Sequence, residues 1–176
     1  MRISLVIFSS ILLLSGCYRK GKPIKFEKII FHTSMCFGDC PIYHLEVDSN
    51  KKLMLYAEWV AEPNGRPMSN KGDTSKMGYF YGSVSDTSFN KLLVALQTVD
   101  INSLKFDGAT CCDGSEITII VYYNGRRKYL KSMFPPEKAN QLIHVLYEIA
   151  GQSNLDRTIE KFHIEDTLQS QYSPGS

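Results

Sequence analysis

Ile42 to Asp48 alternates strictly, with Tyr43, Leu45 and Val47 on one side and His44, Glu46 and Asp48 on the other. That period of two marks a strand with one buried face. Phe26 to Thr33, just before it, is apolar and rich in β-formers, and a turn at Ser49-Asn50-Lys51 leads into Leu53, Leu55, Ala57 and Trp59 on one side of a third strand. The polar stretch EPNGRPMSNKGDT, residues 62 to 74, reads as a long loop, and Met77 to Val84 as a fourth strand. An antiparallel four-strand meander is the economical arrangement.

The period then changes. Phe89, Leu92, Leu93 and Leu96 fall at i, i+3, i+4 and i+7, with Ser85 or Asp86 placed to cap the first turn of a helix. Ile117 to Tyr123 is a further strand, and Asn124-Gly125 is a type I′ hairpin signal that turns it back through Arg126 to Phe134. Pro135-Pro136 ends that strand. Ala139, Leu142, Ile143 and Leu146 give a second amphipathic helix, with Gly151 beyond its end. Residues 151–176 are polar and read as a short extra helix and a loose tail. The expected class is α+β: an antiparallel sheet, formed by the meander plus the later hairpin, with two helices packed on one face. Residues 26–150 form a single domain, and neither a repeat nor a low-complexity block interrupts them.

The segment ahead of the first strand belongs to a different part of the protein's life. Arg2 followed by the apolar run Leu5 to Leu14 has the length of a signal-peptide core and is too short for a membrane span. Leu14-Ser15-Gly16-Cys17 resembles a bacterial lipobox. The resemblance implies a signal peptide over 1–16, removal by a peptidase, and a mature chain that starts at diacylated Cys17. Two or three acyl chains suffice for lasting attachment to a membrane. Residues 17–25 would then be a basic tether carrying Arg19, Lys20, Lys22 and Lys25. Position 18 is Tyr rather than the Asp of an inner-membrane retention signal, which by resemblance points to the outer membrane with the domain facing the periplasm. Removing the leader leaves 19 basic and 18 acidic residues, a balance too even for nucleic-acid binding.

Chemistry concentrates in TSMCFGDCPIYHLEV, residues 33 to 47. Gly38 lies midway between Cys36 and Cys40 and also midway between His32 and His44, so a hairpin centred on it sets the two histidines opposite each other, on the side away from Tyr43. Two Cys and two His are a zinc set, and the sulfurs also suit copper(I). An oxidising compartment instead favours disulfides. With Cys17 lipidated, the remaining Cys36, Cys40, Cys111 and Cys112 allow three complete connectivities. Closing the short Cys36–Cys40 loop stabilises by about 2 kcal/mol in the chain-entropy model, against about 4–5 kcal/mol for a bridge to Cys111 or Cys112.

Cys36-Phe37-Gly38-Asp39-Cys40-Pro41-Ile42-Tyr43 is similar to the C-F-G-x-C-P-x-Y signature of an uncharacterised bacterial family, a domain of unknown function often found behind lipoprotein signals. The similarity extends over roughly residues 26 to 150. It implies pairing of Cys36 with Cys40 and leaves Cys111-Cys112 as a local addition. No activity comes with that family. C-x3-C-P also resembles the copper-delivering assembly proteins of cytochrome oxidase, but there the motif opens a helix in a thioredoxin-like fold, whereas here it opens an alternating strand.

Elsewhere no catalytic set emerges: no phosphate-cradling glycine loop, H-E-x-x-H or G-x-S-x-G is present. Asp113, Ser115 and Glu116 read as a polar loop before a strand, and His144 and His163 as surface or packed residues. Tyr56, Trp59, Tyr79, Phe80 and Tyr81 crowd strands three and four at successive positions and hence on both faces, one of them core and the other a candidate binding strip. The expectation is a lipid-anchored envelope module that binds an unidentified envelope protein or glycan and uses no cofactor. The rival is a periplasmic metal-binding or thiol-redox protein with zinc or copper at His32, Cys36, Cys40 and His44.

Overall fold

A computed structural model describes residues 24–63, 71–111 and 113–166. The expected signal peptide, Cys17, most of the expected tether, Cys112 and the end of the tail lie outside the described residues. Seven strands build one antiparallel sheet: β1 (Phe26–Thr33), β2 (Ile42–Asp48), β3 (Lys52–Trp59), β4 (Gly78–Ser83), β5 (Ile117–Tyr123), β6 (Arg126–Ser132) and β7 (Asp156–Thr158). Their order is β6-β5-β1-β2-β3-β4-β7, so the first strand sits inside the sheet, between its own hairpin partner β2 and the late strand β5.

Two helices, α1 (Asp86–Thr98) and α2 (Asn140–Ala150), cover one face. Ser85 caps α1 by accepting from the Ser88 N–H at 3.2 Å. The core is the product of the two periods. Every second residue of the strands, Ile29, Phe31, Leu45, Val47, Leu53, Leu55, Ile119 and Val121, meets the helical stripes of Phe89, Leu92, Leu96, Leu142, Leu146 and Ile149. The turn signals also hold their places, with Asn124 (φ 52°) and Gly125 (φ 67°) both left-handed as a type I′ turn requires. Among the described residues no helix is long and apolar enough to cross a membrane.

Three expectations need correction. Trp59 does not continue the buried row of β3, because a bulge shifts the register between Ile42 and Tyr43 and leaves it half-buried. Strand β6 stops at Ser132, whose buried hydroxyl accepts from the Phe134 N–H at 3.0 Å while the Met133 N–H turns to the Ala109 carbonyl. The extra C-terminal helix is absent from the described part of 151–176. Asp156–Thr158 instead pairs with β4 as an edge strand, and residues 159–166 then cross the sheet face that carries no helix. The alternation of Phe162, His163 and Ile164 suits an extended segment: Phe162 and Ile164 join Ile30, Ile120, Met54, Tyr122 and Tyr129 in a second, smaller apolar cluster.

Candidate functional site

The hairpin loop is a pinned structure. Cys36 and Cys40 are disulfide-bonded with Cα atoms 5.7 Å apart, so the bridges to Cys111 or Cys112 do not form from this pair. The Phe37 N–H donates to the Asp113 carbonyl at 3.0 Å. Ser34 is held by Ser115, whose hydroxyl donates to its carbonyl at 2.7 Å, and by the Glu116 N–H, which donates to its hydroxyl at 2.9 Å. Asp113, Ser115 and Glu116 therefore splint one loop to another. Cys111 is disulfide-bonded as well, and its N–H lies 2.8 Å from Met133 Sδ. The Cys36→Ser/Cys40→Ser double variant is expected to lose about 2 kcal/mol, the chain-entropy value for so short a loop; urea unfolding with and without reductant measures it, and reductant should not destabilise the double variant through this bridge.

At the foot of the loop Thr33 is buried, donates from Oγ1 to the Pro41 carbonyl at 2.7 Å and accepts from the Tyr43 N–H at 2.9 Å. Thr33→Val keeps the shape and orphans that buried N–H. A loss of about 1–3 kcal/mol is expected, read as a lowered unfolding midpoint with an unchanged denaturant slope.

The register pairs His32 with His44, as the symmetry about Gly38 required, and the two Nδ1 atoms are 2.9 Å apart. The four-ligand metal set does not assemble, because both sulfurs are consumed in the disulfide, and among the described residues no group of three or more His, Cys, Asp or Glu is arranged to hold a metal. The histidines have other partners. His32 Nε2 is 2.8 Å from the carbonyl oxygen of Glu165, and His44 Nε2 is 3.3 Å from Glu58 Oε2. A carbonyl can only accept, so His32 carries its proton on Nε2. Its Nδ1 is then the acceptor in the neutral ring, and His44 Nδ1–H is the donor between them.

The pair is one segment of a row that crosses the whole sheet. Successive register partners are Lys131 on β6, Thr118 on β5, His32, His44, Tyr56 on β3, Tyr79 on β4 and Thr158 on β7. His44 stacks on Tyr56 with centroids 5.5 Å apart and Tyr56 on Tyr79 at 4.4 Å, both pairs within 13° of parallel, and Phe162 closes the row edge-on at 5.1 Å from Tyr79. A cleft of about 410 Å³ opens here between the row, the strap formed by residues 159–166 and the hairpin foot. Its rim carries the Lys131–Glu116 ion pair, at 2.7 Å, together with His163 and Asp166. A second hollow, between Lys91 and Glu148 of the two helices, is a shallow helix–helix groove.

The sequence brought His32 and His44 together correctly and marked Tyr56, Trp59, Tyr79, Phe80 and Tyr81 as divided between core and outer face, without telling which of them face outwards. It missed the strap, Thr118 and Lys131. The signal for the strap was the apolar alternation at Phe162 and Ile164; nothing local marked Thr118 or Lys131, whose place depends on the β1–β5 pairing. His144 is a surface residue, 3.3 Å from Glu148.

Burial is the main influence that holds the His32 imidazole below its ordinary value of 6.5; the facing His44 adds to this, and the Glu165 carbonyl and Asp166 oppose it. The unfolded chain therefore takes up this proton more readily than the folded one. The contribution to stability is complete above about pH 6.5 and is lost as pH falls through the lower folded value. Folding free energy from urea titrations should fall between pH 7 and pH 5, and His32→Gln should flatten that slope.

Fold and site together define an α+β domain with a disulfide-pinned hairpin at one end of the sheet and an aromatic, histidine-bearing cleft on its helix-free face. No curated protein matches the chain. The chain belongs to the family described as Domain of unknown function (DUF6438), whose profile matches residues 27–150. The strap and β7 lie beyond that match.

Proposed function

We propose that this chain is a lipid-anchored cell-envelope protein that acts by binding, with the open-face cleft as its binding site. The observation that carries the reading is the row from Lys131 to Tyr79, which gives a helix-free sheet face ring edges, hydroxyls and one ion pair around a cleft of about 410 Å³. Aromatic rings with a polar tip are the side chains that recognition surfaces favour. The C-F-G-x-C-P-x-Y stretch, in this reading, is a structural staple at the end of the cleft rather than a metal or redox centre.

The direction of β1 supports an anchored arrangement. The chain enters the sheet at Phe26, and the histidine row lies six residues further on, about 20 Å along the strand. A lipid on Cys17 at the far end of a short basic tether leaves the cleft end of the domain turned away from the bilayer. The tether's Lys and Arg add affinity for anionic head groups.

Labelling with a palmitate analogue tests the anchor: Cys17→Ser is expected to abolish incorporation and to move the protein from the membrane fraction to the soluble one. Crosslinking in native envelopes tests the cleft. Tyr56→Ala and His44→Ala should lose a specific crosslinked protein or glycan that Lys91→Ala, in the helix groove, retains. Turnover of a thiol, ester or glycan substrate by the purified protein, lost in the cleft variants, would overturn the binding reading.

A further inference from the structure

The strap is fastened to the sheet at three kinds of contact. Ile164 is buried against Ile30 and Ile120. The Glu165 carboxylate accepts from Tyr122 Oη at 2.6 and 2.7 Å and from Arg127 Nε at 3.0 Å, with Lys28 Nζ at 3.9 Å. The Glu165 carbonyl, finally, accepts from His32 Nε2. The first two contacts have no protonation requirement near neutrality. The third depends on the orientation of an imidazole whose other nitrogen is locked against a second imidazole.

We propose that the His32–His44 pair is a one-proton latch that holds residues 159–166 across the cleft when a single proton lies between the two Nδ1 atoms and releases them when both Nδ1 atoms are protonated. With one proton shared, Nδ1–H of His44 points at the Nδ1 lone pair of His32, and His32 presents Nε2–H to the strap. A further proton, on His32 Nδ1, places two N–H groups head to head at 2.9 Å and turns one ring positive against its neighbour, with centroids 5.1 Å apart. One ring must turn. His44 is flanked by the stacked Tyr56 and by Glu58, which accepts from its Nε2–H in the imidazolium form. His32 has no ring stacked on its far side in the row, since its neighbour there is Thr118. It is therefore His32 that swings, and the swing removes the donor from the Glu165 carbonyl.

The charges around the pair set the direction. On the strap, Asp166 favours a protonated His32 and His163 opposes it. Tyr56 and Glu58 stand on β3, Tyr79 on β4, and the Lys131–Glu116 pair on the β5–β6 side, where its two charges offset each other. The strap residues that leave are the ones that roof the cleft, so opening widens access to the row beneath. This inference does not depend on what the cleft binds.

An NMR titration of the full chain from pH 7.5 to pH 5 tests it, following the His32 imidazole protons and the Ile164 methyl. The Ile164 methyl should move in the same step as the His32 imidazole, and the open population should rise about tenfold per pH unit within that step, the slope for one proton taken up on opening. In His44→Gln the strap step should vanish, because a glutamine amide can donate to a neutral His32 and accept from a charged one. His32→Gln should remove the step as well and serves if the first variant does not fold. An Ile164 methyl that ignores the histidine titration, or a step of unchanged slope in both variants, overturns the latch.

Discussion

Phe31→Ala is expected to lower the stability of this domain by roughly 3–5 kcal/mol. The ring is fully buried in β1, an interior strand of the sheet, and meets Tyr147 of α2 edge-to-face with centroids 5.1 Å apart. Truncation removes the transfer free energy of the phenyl group. It also leaves a cavity whose walls, the sheet on one side and α2 on the other, are held apart by Leu45, Ile119 and Leu146 and cannot close over it. Against a total of about 5–15 kcal/mol for a domain of this kind, the loss approaches half. Urea unfolding followed by circular dichroism measures it, and Phe31→Leu, which preserves most of the volume, should lose no more than about 1.5 kcal/mol. Similar losses for both variants would mean that ring shape rather than filled volume holds sheet and helix together.

Ile164→Ala should produce an effect of comparable origin and different expression. The side chain is almost fully buried against Ile30 and Ile120, and its truncation removes on the order of 2 kcal/mol or more of contact. The strap, however, follows a three-residue edge strand and packs on the helix-free face, so it can leave that face without disturbing the helix-side core. Its loss is then capped by the free energy of docking and appears as local opening. Amide-exchange protection over His163 to Asp166 should fall about thirtyfold, while the global unfolding midpoint moves by much less than in Phe31→Ala. A global shift equal to that of Phe31→Ala would show that strap and core unfold as one unit.

The contrast between these two variants follows what local sequence can encode. Tyr43, Leu45 and Val47 announce their face by alternation, and Phe89, Leu92 and Leu96 announce theirs by helical spacing, so the main core was legible residue by residue. The His32–His44 pairing was legible too, because a hairpin centred on Gly38 fixes register by counting. Thr118 and Lys131 were not, since their place beside His32 depends on β5 docking against β1 across more than eighty residues, a contact that no local period announces. The strap escaped for a related reason: Phe162 and Ile164, set in a polar tail, satisfy neither the length nor the repetition by which a strand is recognised. Trp59 failed differently, through a bulge that moved a regular pattern by one residue.

The interior position of β1 also orders events in time. As the chain emerges from its amino end, β1 to β4 can form their meander early, while the other edge of β1 keeps open the backbone groups that later meet Ile117 to Tyr123. That edge is flanked by Ile29, Ile30 and Phe31, apolar on both faces, and an exposed apolar edge is where strands of separate molecules join. The interval before β5 arrives is therefore the most aggregation-prone stage of this protein's folding, and pairing at such sequence distance makes it slow.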